Sequence, residues 1–258
     1  MEFIRACEDV AEAVSDAVAG MVGTPEAGEC VKMGADGTPT KLIDLVAEDI
    51  VVDYFRCHSL CRCLISEELG CAEMDGEKGT VFLDPVDGTY NAEVGIPFYA
   101  LSIAYAEDGI VRKGYVRNLA TGETFHAIRG QGAFLDGHPI HVSGVSLLEE
   151  SAMSVYGRKF DPARVLNINR HIRRWRLLGA SALELCYVGC GRIDGFIDVR
   201  GTLRVTDAAA GMLVCEEAGG TVSDLEGNTL IFPNEVSVGR SLVATNGIVH
   251  NKVIEYLR

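Results

Sequence analysis

The residues FLDPVDGTYN, 82–91, place two carboxylates, Asp84 and Asp87, after the apolar run Val81-Phe82-Leu83. That run reads as a buried strand. Pro85 suits a strand that has just ended. Gly88 permits close backbone approach, and Thr89 adds a hydroxyl. A helix beginning near Asp87 would turn the N–H groups of Gly88 and Thr89 outward, a ready anion site. Two acids beside an anion site repel each other and the anion. A divalent cation between them removes the conflict, and Mg²⁺ takes oxygen ligands while bridging carboxylate to phosphate. A lone Asp-Gly reads most simply as a self-capped turn. D-P-x-D-G-T at the end of an apolar strand is much more specific, and it predicts a metal-dependent phosphate site.

Other acids fit the same chemistry. Glu67 and Glu68 end the preceding short strand, CLIS. Asp44 lies in the first turns of a helix after the loop GADGTPT, and Asp207 near the start of TDAAAGMLVCEEAGG. Glu67, Asp84, Asp87 and Asp207 carry four negative charges, which two Mg²⁺ ions would neutralise. A pair of such ions activates water and stabilises the leaving oxygen in phosphoryl transfer.

The elements that must hold these residues alternate. Apolar positions at helical spacing from Phe3 to Met21 predict a first helix, and KLIDLVAEDIVVDYF a second, with Thr40 as its N-cap. GADGTPT, 34–40, reads as loop. CLIS and TVFLD read as strands. From about 99 to 142, ALSIAYA, VRKGYV, ETFHAI and GAFL are separated by turn residues and predict an antiparallel meander. Beyond 143 the pattern alternates again. AMSVY is a strand, DPARVLNINRHI a helix, ALELCYVGCG a helix and RIDGFIDV a strand. TDAAAGMLVCEEAG follows as a helix, TVSD and SLVAT as strands, and IVHNKVIEYL as a closing helix. Stacked α and β layers are expected, in an N-terminal half over 1–145 and a C-terminal half over 146–258.

The 258 residues suffice for a sizeable core, with 48% hydrophobic and 23% charged residues. A net charge of −14 argues against nucleic-acid or anionic-membrane binding. No apolar run is long enough to span a bilayer, and the N-terminus lacks a signal-peptide core, so a cytoplasmic location is expected. The nine cysteines include Cys57, Cys61, Cys63 and Cys71, but no zinc-type CxxC or paired-histidine spacing. Reduced thiols are expected.

ISEE (65–68), LDPVDGTYN (83–91) and TDAAAGMLVCEEAGG (206–220), in that order, resemble the three signatures of the inositol monophosphatase and fructose-1,6-bisphosphatase superfamily, and RGQGAFLDG (129–137) resembles a further stretch common there. The match runs from the first helix to the last and is most similar to the compact archaeal dual-activity enzymes. The resemblance implies an α/β five-layer αβαβα sandwich, usually a homodimer. It implies metal ligation by Glu67, Asp84, Asp87, Asp207 and the carbonyl of Val86. Two or three Mg²⁺ ions per site would be held there, with Mn²⁺ as a substitute. It further implies that Gly88 and Thr89 bind phosphate through backbone N–H groups, with Asp87 beside them. Thr89, Asp44 and Glu67 would orient and activate the attacking water. The substrate would be a small phosphorylated sugar or cyclitol.

The sequence departs from the animal enzymes at two places. Thr206 stands where they have Trp, and Arg200 where they have a Glu that contacts inositol hydroxyls. A guanidinium grips phosphate or sugar oxygens, so Arg200 favours a sugar with a second phosphate. In the basic run NRHIRRWRLLG, Arg170, Arg173 and Arg174 read as a solvated face. Arg176 leads into LLGASA, which resembles the family's substrate-lining segment, so Arg176 and Ser181 are expected substrate contacts. An alternative within the superfamily is a phosphatase of 3′-phosphoadenosine 5′-phosphate or a related nucleotide, though no adenine pocket is evident. A regulatory binding protein on the same fold is opposed by the intact carboxylate set. GCGRIDG and GQGAFLDG lack the strand–turn–helix context of dinucleotide sites. The Asp84–Asp87 spacing excludes a haloacid-dehalogenase nucleophile, and no histidine sits in a triad motif. His126, His138 and His141 read as surface or packing residues.

Overall fold

A computed structural model describes residues 2–156 and 162–258. Helix α1 (Glu2–Ala19) buries Phe3, Cys7, Val10, Val14 and Val18, the stripe that the 3.6-residue period dictates. A small ribbon follows, β1 (Cys30–Met33) with β2 (Pro39–Lys41). The segment expected to be all loop thus supplies a turn and then a strand. Helix α2 (Leu42–Cys57) starts one residue later than expected, with Lys41 as N-cap. The Thr40 hydroxyl instead donates to buried Glu68.

Strands β3 (Cys63–Ser66), β4 (Gly70–Glu73) and β5 (Thr80–Asp87) lead to the short helix α3 (Thr89–Val94). The meander is β6 (Ala100–Glu107), β7 (Ile110–Asn118), β8 (Thr124–Ile128), β9 (Gly132–Leu135) and β10 (His138–Pro139). All but β1 and β2 of these ten strands form one sheet, in the order β10-β9-β8-β7-β6-β5-β3-β4. The later elements are β11 (Ala152–Tyr156), α4 (Pro162–Asn169), β12 (Arg174–Arg176), α5 (Ser181–Gly189) and β13 (Gly195–Leu203). They continue with α6 (Val205–Glu217), β14 (Thr221–Ser223), β15 (Arg240–Thr245) and α7 (His250–Leu257). Asp161, expected to open α4, lies outside the described residues. The second sheet runs β12-β11-β13-β15-β14.

Alternating side chains on the strands build four apolar interfaces between five layers. Val81, Leu83, Leu101 and Ile103 face α1 and α2. Their neighbours Phe82, Ala100 and Ala104 face α5 and α6. The other side of α5 and α6 meets Phe196, Leu242 and Ala244 of the second sheet. Ile197 and Val243 point the opposite way, onto α4 and α7. The order is therefore α1/α2, large sheet, α5/α6, small sheet, α4/α7, an αβαβα sandwich. Each fully buried Leu, Val or Ile in these interfaces contributes about 1.5–3 kcal/mol. The middle layer is tight. A Cβ on Gly211 of α6 would sit 2.7 Å from Leu185 Cβ and 2.8 Å from the Ala182 carbonyl oxygen of α5. Among the described residues, no helix is long and apolar enough to cross a membrane.

Candidate active site

Strand β5 does not stop at Asp84, as the sequence suggested. It continues through Pro85 to Asp87. In a regular strand, residues three apart point to opposite faces. Here Asp84 pairs with Ser102 and Asp87 with Ala100, so three steps on β5 match two on β6. This bulge adds one residue and turns both carboxylates into the same cavity. Pro85, which has no N–H to give a ladder, sits inside the bulge. Parallel β3 pairs Ser66 with Leu83, which sets Glu67 beside Asp84. Asp207 arrives from the first turn of α6, where its Oδ2 accepts the Arg204 N–H at 2.9 Å and caps the helix.

Oxygens of Glu67, Asp84 and Asp207 lie within 4.8 Å of one another. Asp87 lines the same cavity but stands outside this triad. Its two oxygens accept the N–H groups of Ser181 (3.1 Å) and Ala182 (2.6 Å) at the start of α5. Ser181, expected as a substrate contact, borders the cavity, and its N–H donates to Asp87. Thr89 Oγ1 lies 3.0 Å from Asp44 Oδ1 and 2.9 Å from the Val86 carbonyl oxygen, and its one proton serves one acceptor at a time. Gly88 has φ 89°, and a Cβ there would lie 3.0 Å from Ala180 Cβ. Only glycine fits this left-handed turn without strain. The first N–H groups of α3, at the mouth of the cavity, have no intrahelical acceptor.

The cavity encloses about 540 Å³. Arg200 reaches it from a second irregularity, where β13 departs from register between Asp198 and Leu203. Its guanidinium is held by fully buried Asp198, with Nε at 3.0 Å from Oδ1, and lies 4.0 Å from the Tyr156 ring. Arg176 is not brought in. It is exposed on edge strand β12, and its Nη1 donates to the Trp175 carbonyl. Trp175, its neighbour, packs toward the α4/α7 interface, so alternation sends Arg176 the other way.

Three contributors were not anticipated. Arg204 forms ion pairs with Asp36, with Glu67 at 2.6 Å and with Asp207 at 2.9 Å. Its position three residues before Asp207, at a helix entry, was the available signal. Glu184 accepts the N–H groups of Leu178 (2.6 Å) and Gly179 (3.3 Å) and the Ser154 hydroxyl (2.8 Å). Asp198, two residues before Arg200, accepts the Arg200 backbone N–H at 2.9 Å as well as its guanidinium, a local contact for which the period-two spacing was the available signal. The Thr206 hydroxyl, where Trp stands in the animal enzymes, donates to Glu67 at 3.3 Å.

Charge in this cavity is out of balance. Burial, then the charges of Asp87 and Asp207, hold Asp84 well above the usual carboxylate range. Burial likewise raises Glu67 and Asp87. Burial and then Glu68 push Asp44 up to about 8. Burial opposes ionisation of Asp207 too, but the Arg204 charge and its hydrogen bonds outweigh that, and Asp207 is lowered. Arg204, with Arg200 already paired to Asp198, cannot offset so many acids. An all-oxygen donor set, dense in carboxylates and free of sulfur or imidazole, fits a hard divalent cation.

A sequence model described as the inositol monophosphatase family matches residues 2–258. The chain belongs to that family. It is 45% identical over 264 residues to a fructose-1,6-bisphosphatase/inositol-1-monophosphatase of Methanothermobacter thermautotrophicus, covering 96% of this chain and 94% of the relative. It is 35% identical to a bifunctional NADP phosphatase/NAD kinase of Methanococcus maripaludis, with 98% of this chain matching 49% of that protein. A solved structure described as an inositol monophosphatase–fructose 1,6-bisphosphatase superposes at a TM-score of 0.90, with 28% identity and full coverage of both chains. The fold inferred from the sequence is thus the fold of this family.

Proposed function

We propose that the protein is a Mg²⁺-dependent phosphomonoesterase that hydrolyses the 1-phosphate of fructose-1,6-bisphosphate and also inositol-1-phosphate. The observation that carries this reading is the convergence of Glu67, Asp84 and Asp207 beside the Gly88–Thr89 turn. The archaeal relative named for both activities supports the substrate pair. Glu67, Asp84, Asp207 and the outer lone pairs of Asp87, with the Val86 carbonyl, would hold the cation. When bound, Mg²⁺ neutralises the phosphate and the developing charge and lowers the pKa of water.

The chain's own groups do the rest. N–H groups at the start of α3 orient the phosphate oxygens. Thr89 Oγ1 positions the attacking water and takes a proton from it as its own proton passes to Asp44. A base with its affinity for protons near neutrality suits that task, and burial tunes Asp44 toward it. Water oxygen bonds to phosphorus, the ester P–O bond breaks, and the sugar oxygen leaves and takes up a proton, balanced by the one that Asp44 received from the water through Thr89. Arg200, fixed by Asp198, offers its remaining N–H donors to the sugar or its second phosphate.

A nucleotide substrate is the second reading, favoured by the relative with NADP phosphatase in its name. The test is phosphate release by the purified protein from fructose-1,6-bisphosphate, inositol-1-phosphate, NADP and 3′-phosphoadenosine 5′-phosphate, each with Mg²⁺ and with EDTA. Turnover of the first two, lost in EDTA, is expected. Turnover of a nucleotide alone would keep the chemistry and replace the substrate. No turnover in any arm would sink the enzymatic reading.

A further inference from the structure

Arg204 stands immediately before α6, and its guanidinium meets three carboxylates. Nη2 lies 2.6 Å from Glu67 Oε1 and 2.9 Å from Asp207 Oδ1, Nε lies 3.2 Å from Asp207 Oδ2, and Nη1 pairs with Asp36. Glu67 and Asp207 are two of the three triad members. Asp36 belongs to the turn between β1 and β2, so the same side chain ties that turn to α6. A guanidinium and a divalent cation both seek carboxylate lone pairs, and they repel each other. The fork of Arg204 is rigid and permanently charged, so it cannot yield by losing a proton.

We propose that Arg204 is an internal counter-cation of the metal triad. It holds Glu67 and Asp207 together when no divalent ion is bound, and it contests their oxygens when one arrives. Asp36 is the anchor that draws the guanidinium partly out of the triad and leaves room for the metal. Arg204 therefore sets the affinity for Mg²⁺ below what the carboxylates alone would give, and it keeps the metal-free protein folded. This rests on the reading of the triad as a metal site.

Calorimetric titration of Mg²⁺ into wild type, Arg204→Met and Asp36→Asn, with melting curves in EDTA and in saturating Mg²⁺, tests it. Methionine keeps length and removes charge. Arg204→Met is expected to bind Mg²⁺ about tenfold more tightly, a size usual for coupling between two sites. It should melt lower than wild type in EDTA and match it in Mg²⁺. Asp36→Asn should bind Mg²⁺ more weakly, because Arg204 then leans fully on the triad, and this variant keeps the test decisive if Arg204→Met does not fold. An equal loss of melting temperature in both media, with unchanged Kd, would make Arg204 a structural clip and overturn the inference alone. Weaker Mg²⁺ binding by Arg204→Met would also overturn it. Absence of binding by wild type and both variants would overturn the metal reading beneath it.

Discussion

At the scale of single residues, the site holds acids away from the water that would favour their ionised form. Asp84 shows the trade. It is buried, and Asp87 and Asp207 add negative charge around it. Its folded state therefore holds a proton to higher pH than its unfolded state does. The stabilisation present at low pH is lost as pH rises toward the folded value. Asp84→Asn keeps the shape and removes that charge. In EDTA at pH 8 the variant should be more stable than wild type in a denaturant melt. Its Mg²⁺-dependent phosphate release should fall by at least about a hundredfold, as expected when a group aimed at developing charge is lost. Near-normal turnover would remove Asp84 from the site. The opposite signs of the two effects separate a functional carboxylate from a merely structural one.

At the scale of elements, the chemistry depends on irregularities. The β5 bulge brings Asp84 and Asp87 to one side, and the break in β13 presents Arg200. The turn before α5 is held by Glu184, whose Oε1 takes three donors while Oε2 is buried without a partner. Burial raises this carboxyl to about 7 despite those donors. Because the folded value lies above the unfolded one, Glu184 costs stability as pH climbs from about 4.5 toward 7, by roughly 3 kcal/mol at the upper end. Glu184→Gln keeps an accepting oxygen and cannot ionise. With EDTA present, its stability should fall less than that of wild type between pH 5 and 8. Parallel pH profiles for the two proteins would show that Glu184 ionises freely in the fold.

At the scale of the whole molecule, the sequence revealed what repeats and hid what breaks the pattern. Helix α1 was legible because burial on one face enforces a period, and CLIS and the meander because apolar runs bounded by turn residues mark strands. Glu67, Asp84 and Asp207 were legible because carboxylates at the ends of apolar strands or at a helix start need a reason to be there. The bulge in β5 was not, since pairing register is a property of two strands. Nor was Arg204, whose partners Asp36 and Glu67 are more than a hundred residues away in the chain. Arg176 misled because a basic residue leading into a family-like segment says nothing of the face it takes on an edge strand. The layered fold brings strand ends from the large sheet and helix starts from the middle layer to one cavity, which is why residues from 36 to 239 can share it.

On the proposed function, Glu67, Asp84 and Asp207 close around a divalent cation. The most direct measurement is anomalous diffraction from crystals of the wild-type protein soaked in Mn²⁺. An anomalous peak is expected within about 2.0–2.3 Å of oxygens from all three residues, a distance set by hard cations of this size. No peak there, or one held by other acids, would contradict it.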